Sequence, residues 1–166
     1  MRIITDSREQ KNQHILEKFS NKNIPFKVKK LDFADYSIEG FENKVAVERK
    51  SGLNELTNCF CSGRKRFAAE FERAKEAGAK MYLIVEDEQG KDKMIARQEM
   101  EAQGELTEKQ QNKTWRGKFR ASSMIASLSS WKVKYDLEII FCNKKKSGEK
   151  IIEIFNAYLQ QNSTLN

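Results

Sequence analysis

The stretch that decides the reading of this chain is Val45-Ala46-Val47-Glu48-Arg49-Lys50. Side chains of an extended strand alternate, so Val45 and Val47 share one face and Glu48 and Lys50 the other. The valines anchor the segment in a core, while a carboxylate and an ammonium project side by side from its end. Thirteen residues before Glu48 stands Asp35, in a second extended segment, Phe33 to Ile38. The turn Glu39-Gly40-Phe41-Glu42-Asn43 joins the two. That spacing suits a hairpin return, which sets Asp35 and Glu48 across paired strands on the face where Lys50 also points.

Two carboxylates brought together repel unless something positive sits between them, and a hard divalent cation is the natural occupant. Magnesium takes a few carboxylate oxygens and keeps its remaining coordination for water and phosphate. Such an ion polarises a scissile phosphate and makes a bound water a better nucleophile. A nearby lysine orients or deprotonates that water, or steadies the charged phosphorus. Asp35, Glu48 and Lys50 are therefore the candidate catalytic residues for phosphodiester hydrolysis, with the two acids as metal ligands. Taken alone, the spacing also fits a surface hairpin that ends in solvated charges.

Outward from this hairpin, Arg2 to Thr5 reads as a short buried strand that stops at Asp6. A helix follows with the stripe Ile15, Leu16 and Phe19, and then an extended segment from Phe26 to Leu31. After the hairpin, Ser51 is placed to cap a helix through Leu53 and Leu56. A second helix runs from about Arg64 to Ala77 on Phe67, Phe71 and Ala74, and Gly78 is placed to end it in a left-handed cap. Met81-Tyr82-Leu83-Ile84-Val85 reads as a central strand covered on both faces. From Asp87 to about Trp115 the texture turns polar, as a long loop or exposed helical excursion. A helix with Met124, Leu128, Trp131 and Tyr135 as core or dimer interface then leads to the strand Leu137 to Phe141. A last helix carries Ile151, Ile154, Phe155 and Tyr158. The order predicts an α/β fold, a central mixed sheet flanked by helices.

The bulk composition agrees. The 166 residues suit one domain, and 31 Lys+Arg against 24 Asp+Glu leave a net charge of +7. A surplus of that sign favours a polyanionic partner and argues against a calcium buffer. No apolar run approaches the length of a membrane span or a signal-peptide core, so no membrane contact and a cytoplasmic location are expected. Cys59, Cys61 and Cys142 with one histidine do not match a zinc pattern and read as buried or half-buried free thiols. Arg64, Lys65 and Arg66 at a helix start, and Lys113, Arg116, Lys118 and Arg120 before the Trp131 helix, are candidate grips on DNA phosphates. Lys144-Lys145-Lys146 reads as a charged turn.

Three segments, Thr5-Asp6-Ser7-Arg8-Glu9, Leu31-Asp32-Phe33-Ala34-Asp35-Tyr36 and Val47-Glu48-Arg49-Lys50-Ser51, together with Ser62-Gly63-Arg64, carry a family pattern. They resemble the nuclease domain of the XPF-type structure-specific endonucleases, in which D-x-R-E, G-D-Y, V-E-R-K-x3-D and G-R follow in that order. The likeness is motif-specific over residues 3 to 86 and loose over the rest. It implies a restriction-endonuclease-like core, a single nuclease domain over 1–166 with a polar insert at about 87–115, and a Mg2+ or Mn2+ site. It also implies cleavage of branched or flapped DNA, as in DNA repair and recombination. By the same resemblance Asp35 and Glu48 match the metal-binding acids, Lys50 the catalytic lysine, and Asp6 a further acid of the catalytic and metal set. Arg8 and Glu9 complete the D-x-R-E element, with Arg8 joining the DNA contacts. Glu9 and Arg49 have no assigned role, and alternation points Arg49 away from Glu48.

Two departures qualify the match. Ala34 stands where the family usually has glycine, a mild change provided that its φ is negative. Asn54 replaces the aspartate after E-R-K, so one metal is expected rather than two. A helix-hairpin-helix module is absent from these residues, so DNA would be gripped by the domain's own surface, by a homodimer or through a protein partner. The alternative function is a non-catalytic DNA-binding or assembly module with a decayed site.

Overall fold

The structure is a computed structural model that describes residues 1–104 and 119–163. Six strands, β1 (Ile3–Thr5), β2 (Phe26–Val28), β3 (Tyr36–Ile38), β4 (Val45–Lys50), β5 (Lys80–Val85) and β6 (Glu138–Phe141), form one sheet in the order β2-β1-β3-β4-β5-β6. β3 runs antiparallel to both β1 and β4, while the pairs β1/β2, β4/β5 and β5/β6 are parallel. The expected mixed sheet is therefore present. The described helices are α1 (Gln13–Asn21), α2 (Leu53–Phe60), α3 (Arg64–Glu76), α4 (Gly90–Ala102), α5 (Ala121–Lys134) and α6 (Ser147–Ser163), with a 3-10 turn at Lys144–Lys146.

The helices cover both faces. On one side Ile15 and Phe19 of α1 and Ile151 and Phe155 of α6 pack on Val45 and Val47. On the other, α2, α3, α4 and α5 pack on Ala46, Leu83 and Val85. There Phe60, Phe67, Phe71 and Tyr135 gather round Trp131 with ring centroids 4.7 to 5.1 Å from its own. The Met124, Leu128, Trp131 and Tyr135 stripe is thus core. With both faces covered, every residue of β4 is buried, including Glu48, Arg49 and Lys50.

Four expectations change in detail. The polar stretch after Asp87 includes the regular helix α4, which buries Met94 and Arg97. Its Glu101 carboxylate accepts the Ala121 N–H at 2.9 Å and so caps α5. Residues 105–118, which hold Lys113, Arg116 and Lys118, lie outside the described residues. Ser51 is not the cap of α2: Gly52 takes that place with φ 156° and ψ −173°, a region open essentially to glycine alone. Ser51 instead donates its N–H and hydroxyl to Glu55, each at 2.7 Å. Among the free thiols, Cys142 is buried and Cys59 half-buried, but Cys61 is exposed. Finally, β3 starts only at Tyr36, because Ala34 has φ +61°. The expectation of a negative φ there is wrong. The position is a left-handed turn in this chain, and an alanine occupies it. Gly78, by contrast, takes the expected left-handed cap with φ +70°.

Candidate active site

Strand directions bring the site to one edge of the sheet. β1 and β4 end there and antiparallel β3 begins there, with Thr5 opposite Tyr36 and Tyr36 opposite Val47. One step further, that register sets Asp35 across from Glu48. Asp35 donates its N–H to the Val47 carbonyl at 3.1 Å, and its Oδ2 accepts the Arg49 N–H at 2.8 Å. Glu48 lies on the α2–α3 side, 3 % exposed. Its Oε1 accepts Lys50 Nζ at 2.5 Å, while Oε2 is buried with no hydrogen-bond partner among the described residues. An unpaired buried carboxylate oxygen is costly and calls for an explanation.

The electrostatics follow from this packing. Burial pushes the Glu48 carboxyl up to about 7, with Glu70 and Glu9 adding to the rise and Lys50 holding it back. Burial, then Glu48, then Glu9 drive Asp35 well above the ordinary carboxylate range. Burial acts to strip Lys50 of its proton, but Glu48 and Asp35 outweigh it and hold the ammonium above its ordinary value. Lys50 also lies 5.0 Å from the centre of the Phe67 ring. A cavity of about 240 Å³ opens beside it, lined as well by Glu55, Cys59, Arg66, Phe67 and Glu70.

Asp6 does not join this set. Its Oδ1 accepts the Arg8 N–H at 2.7 Å and Arg8 Nε at 2.8 Å. Its Oδ2 accepts the Leu31 N–H at 2.6 Å and Arg8 Nη2 at 3.0 Å. Burial raises its affinity for a proton, but these bonds outweigh it and hold the carboxyl below its ordinary value. With both oxygens occupied, Asp6 and Arg8 pin the Leu31 turn. Among the described residues, no three His, Cys, Asp or Glu side chains form a ready metal cage.

Arg49 points to the opposite face, as alternation requires. There its Nε donates to Glu9 Oε1 at 2.7 Å and its Nη1 to Glu86 Oε2 at 3.0 Å. Glu86 Oε1 also meets His14 Nε2 at 2.5 Å and the Ser147 hydroxyl at 2.6 Å. Sequence reasoning left Glu9 and Arg49 without a role and did not single out Glu86, His14 or Ser147. The available signal was period two: Ile84 faces the α1–α6 core, so Glu86 points there as well.

Glu70 was also missed. It falls three residues after Phe67 and next to Phe71, inside the inward stripe of α3, and its Oε1 accepts the Ala34 N–H at 2.7 Å. Of the candidate DNA grips, Arg66 is exposed and lines the Lys50 cavity. Arg64 donates to Ser127 Oγ at 3.1 Å. Arg120 lies 3.8 Å from Glu101 and is 66 % exposed in its side chain. Asn54 is exposed on α2. No described helix is long and apolar enough to cross a membrane.

Comparison with known proteins bears on the family and the fold. The model of the ERCC4 domain family matches residues 5–155. The solved structure of XPF from Aeropyrum pernix is similar with a TM-score of 0.65 at 16 % identity, covering 95 % of this chain and 61 % of that one. XPF from Aeropyrum pernix in complex with DNA gives 0.65 at 15 % identity, with 96 % and 66 % covered. The chain thus spans less than two thirds of either relative, and at these identities the likeness shows the shared fold. No curated protein sequence matches the chain significantly.

Proposed function

This chain belongs to the ERCC4 domain family, and from that premise we propose that it is a divalent-metal-dependent DNA endonuclease acting on branched or flapped DNA. The observation that carries the proposal is the buried, unpartnered Oε2 of Glu48 beside Asp35 and Lys50. A Mg2+ or Mn2+ ion fits these residues. Asp35 and Glu48 would hold it, which meets the one or two carboxylates that magnesium asks of a protein. When bound, such an ion supplies Lewis-acid polarisation of the phosphate and a more acidic water.

The chain's own groups do the rest. Glu48 and Asp35 favour the charged form of Lys50, whose role is that of a fixed cation at the developing phosphorane charge. The Arg49 N–H holds Asp35 Oδ2 and so fixes this carboxylate across from Glu48. Asp6 acts here as the holder of Arg8 and Leu31, not as a ligand. Arg66, on the rim of the Lys50 cavity, is the first candidate for a phosphate contact, with Arg64 and Arg120 further along the surface.

The test is a panel of labelled duplex, flap, fork and four-way-junction DNAs incubated with Mg2+, Mn2+ or EDTA. Cleavage with either metal, none with EDTA, and loss in Asp35→Ala is the expected result. Full cleavage by Asp35→Ala would overturn the site. The second reading, a DNA-binding or assembly module without cleavage, draws on Asn54, which stands on α2 in place of an aspartate. DNA binding with no metal uptake in calorimetry would favour it.

A further inference from the structure

We propose that Glu70 is a positioning residue of this site, whose carboxylate holds Ala34 in its left-handed turn and so aims Asp35 at Glu48. The inference rests on the nuclease reading for its consequence, but on geometry for its substance. Ala34 is 1 % exposed, its φ is +61°, and its N–H meets Glu70 Oε1 at 2.7 Å. Left-handed backbone is unfavourable for any residue with a Cβ, so something must hold it there. The same helix grips the turn a second time one helical step later, where Arg73 Nε donates to the Asp32 carbonyl at 2.9 Å. α3 therefore clamps residues 32 and 34, and the very next residue is Asp35.

The choice of glutamate supports this. Position 70 lies in the inward stripe with Phe67, Phe71 and Ala74, where an apolar residue would pack on the core. A carboxylate there also lies close enough to Glu48 to raise its proton affinity, an electrostatic cost that packing alone would avoid. What glutamate supplies, and an apolar side chain cannot, is an acceptor for a buried N–H that strand pairing leaves over. With that acceptor gone, the turn can relax toward ordinary backbone and swing Asp35 away from Glu48.

Glu70→Ala, Glu70→Gln, Ala34→Gly and the double variant Ala34→Gly/Glu70→Ala test it. Three quantities are measured: Mn2+ affinity by calorimetry, kcat and KM on the best DNA substrate, and amide exchange at Ala34 by NMR. Glu70→Ala is expected to weaken Mn2+ binding and kcat by about tenfold, the scale found when an outer support of a metal ligand is removed. KM should hold while exchange at Ala34 quickens. Glu70→Gln keeps the acceptor and should stay near wild type in all three. Glycine takes a left-handed turn unaided, so Ala34→Gly should return most of what Glu70→Ala loses. The proposal is overturned if Glu70→Gln falls as far as Glu70→Ala, which would assign the effect to charge. It is equally overturned if Glu70→Ala matches wild type in Mn2+ affinity and in Ala34 exchange. Should Glu70→Ala not fold, the double variant carries the comparison. A wild-type protein that neither takes up Mn2+ nor cuts DNA would sink the nuclease reading instead, and Ala34 exchange would still decide the clamp.

Discussion

The end of β4 presents charge to both faces of the sheet, and the two faces are finished differently. Toward α1 and α6, the Arg49 guanidinium meets Glu9 and Glu86, and Glu86 is shared with His14 and Ser147. Toward α2 and α3, Lys50 meets one oxygen of Glu48 and the other stays unpaired. Desolvation is the same problem on both sides, since Glu48, Arg49 and Lys50 are all buried. Buried charge is stable only when paired and hydrogen-bonded throughout. The Arg49 face is thus paired at both of its acids, while on the Glu48 face one carboxylate oxygen has no partner among the described residues.

The widest test of that contrast swaps the two readouts. Glu48→Gln or Lys50→Ala should lower DNA cleavage by about 10²- to 10⁴-fold, the range for removing a positioned electrostatic or acid–base group. Melting of Glu48→Gln should barely move, since glutamine keeps an acceptor for Lys50 and carries no charge to bury, whereas Lys50→Ala should also lose stability because Glu48 is left buried without its cation. Arg49→Ala should do the reverse at the level of the fold, losing about 3–5 kcal/mol because Glu86 is left buried, and Glu9 half-buried, without their cation. Denaturant titration of both variants checks this. A stable Arg49→Ala protein, or an unfolded Glu48→Gln protein, would break the comparison.

A smaller effect is expected in the pH dependence of stability. Folded Glu48 keeps its proton up to about pH 7, against an ordinary value of 4.5. Between those values the folded state binds more protons than the unfolded one, so stability is greatest below the ordinary value and falls as pH rises through 7. Urea midpoints from pH 4.5 to 7 should show this decline. Glu48→Gln should reduce the slope, and Asp35, pushed up in the same way, should retain part of it. An unchanged slope in Glu48→Gln would place the titration elsewhere. The smallest effect is at Ala34. Replacing it with glycine should stabilise the protein by about 0.5–1 kcal/mol if relief of the left-handed strain outweighs the entropy glycine adds to the unfolded chain. A loss of stability would show that the turn is not strained.

Much of this was readable before any coordinates. Period two separated Glu48 and Lys50 from Arg49, and the distance from Asp35 to Glu48 anticipated their meeting across β3 and β4. Gly78 announced its own cap. What escaped were features set by partners distant in sequence. Asp6 looks like a third acid of the site, but Arg8 and the Leu31 amide take both of its oxygens. Ala34 looks harmless, because a small side chain says nothing of the φ that the turn demands. Glu70 sat at an inward helical position, and a charged residue there was the one local sign that the core had a polar task at that point. The polar composition after Asp87 left loop and exposed helix both open, because α4 is stabilised by packing against α5 rather than by an apolar stripe of its own.

The Arg49 network also has a mechanical meaning. One guanidinium and one carboxylate tie α1, through His14, to β4, to the end of β5 and to the start of α6, through Ser147. The back wall of the site is thus riveted at four points. The front wall, α2 and α3, follows β4 through Ser51 and Gly52 and is held besides by the rings round Trp131 and by the Glu70 and Arg73 bonds to residues 34 and 32. One wall is thus fixed by ion pairs and hydrogen bonds that share a single carboxylate, the other by ring packing and by two bonds from one helix.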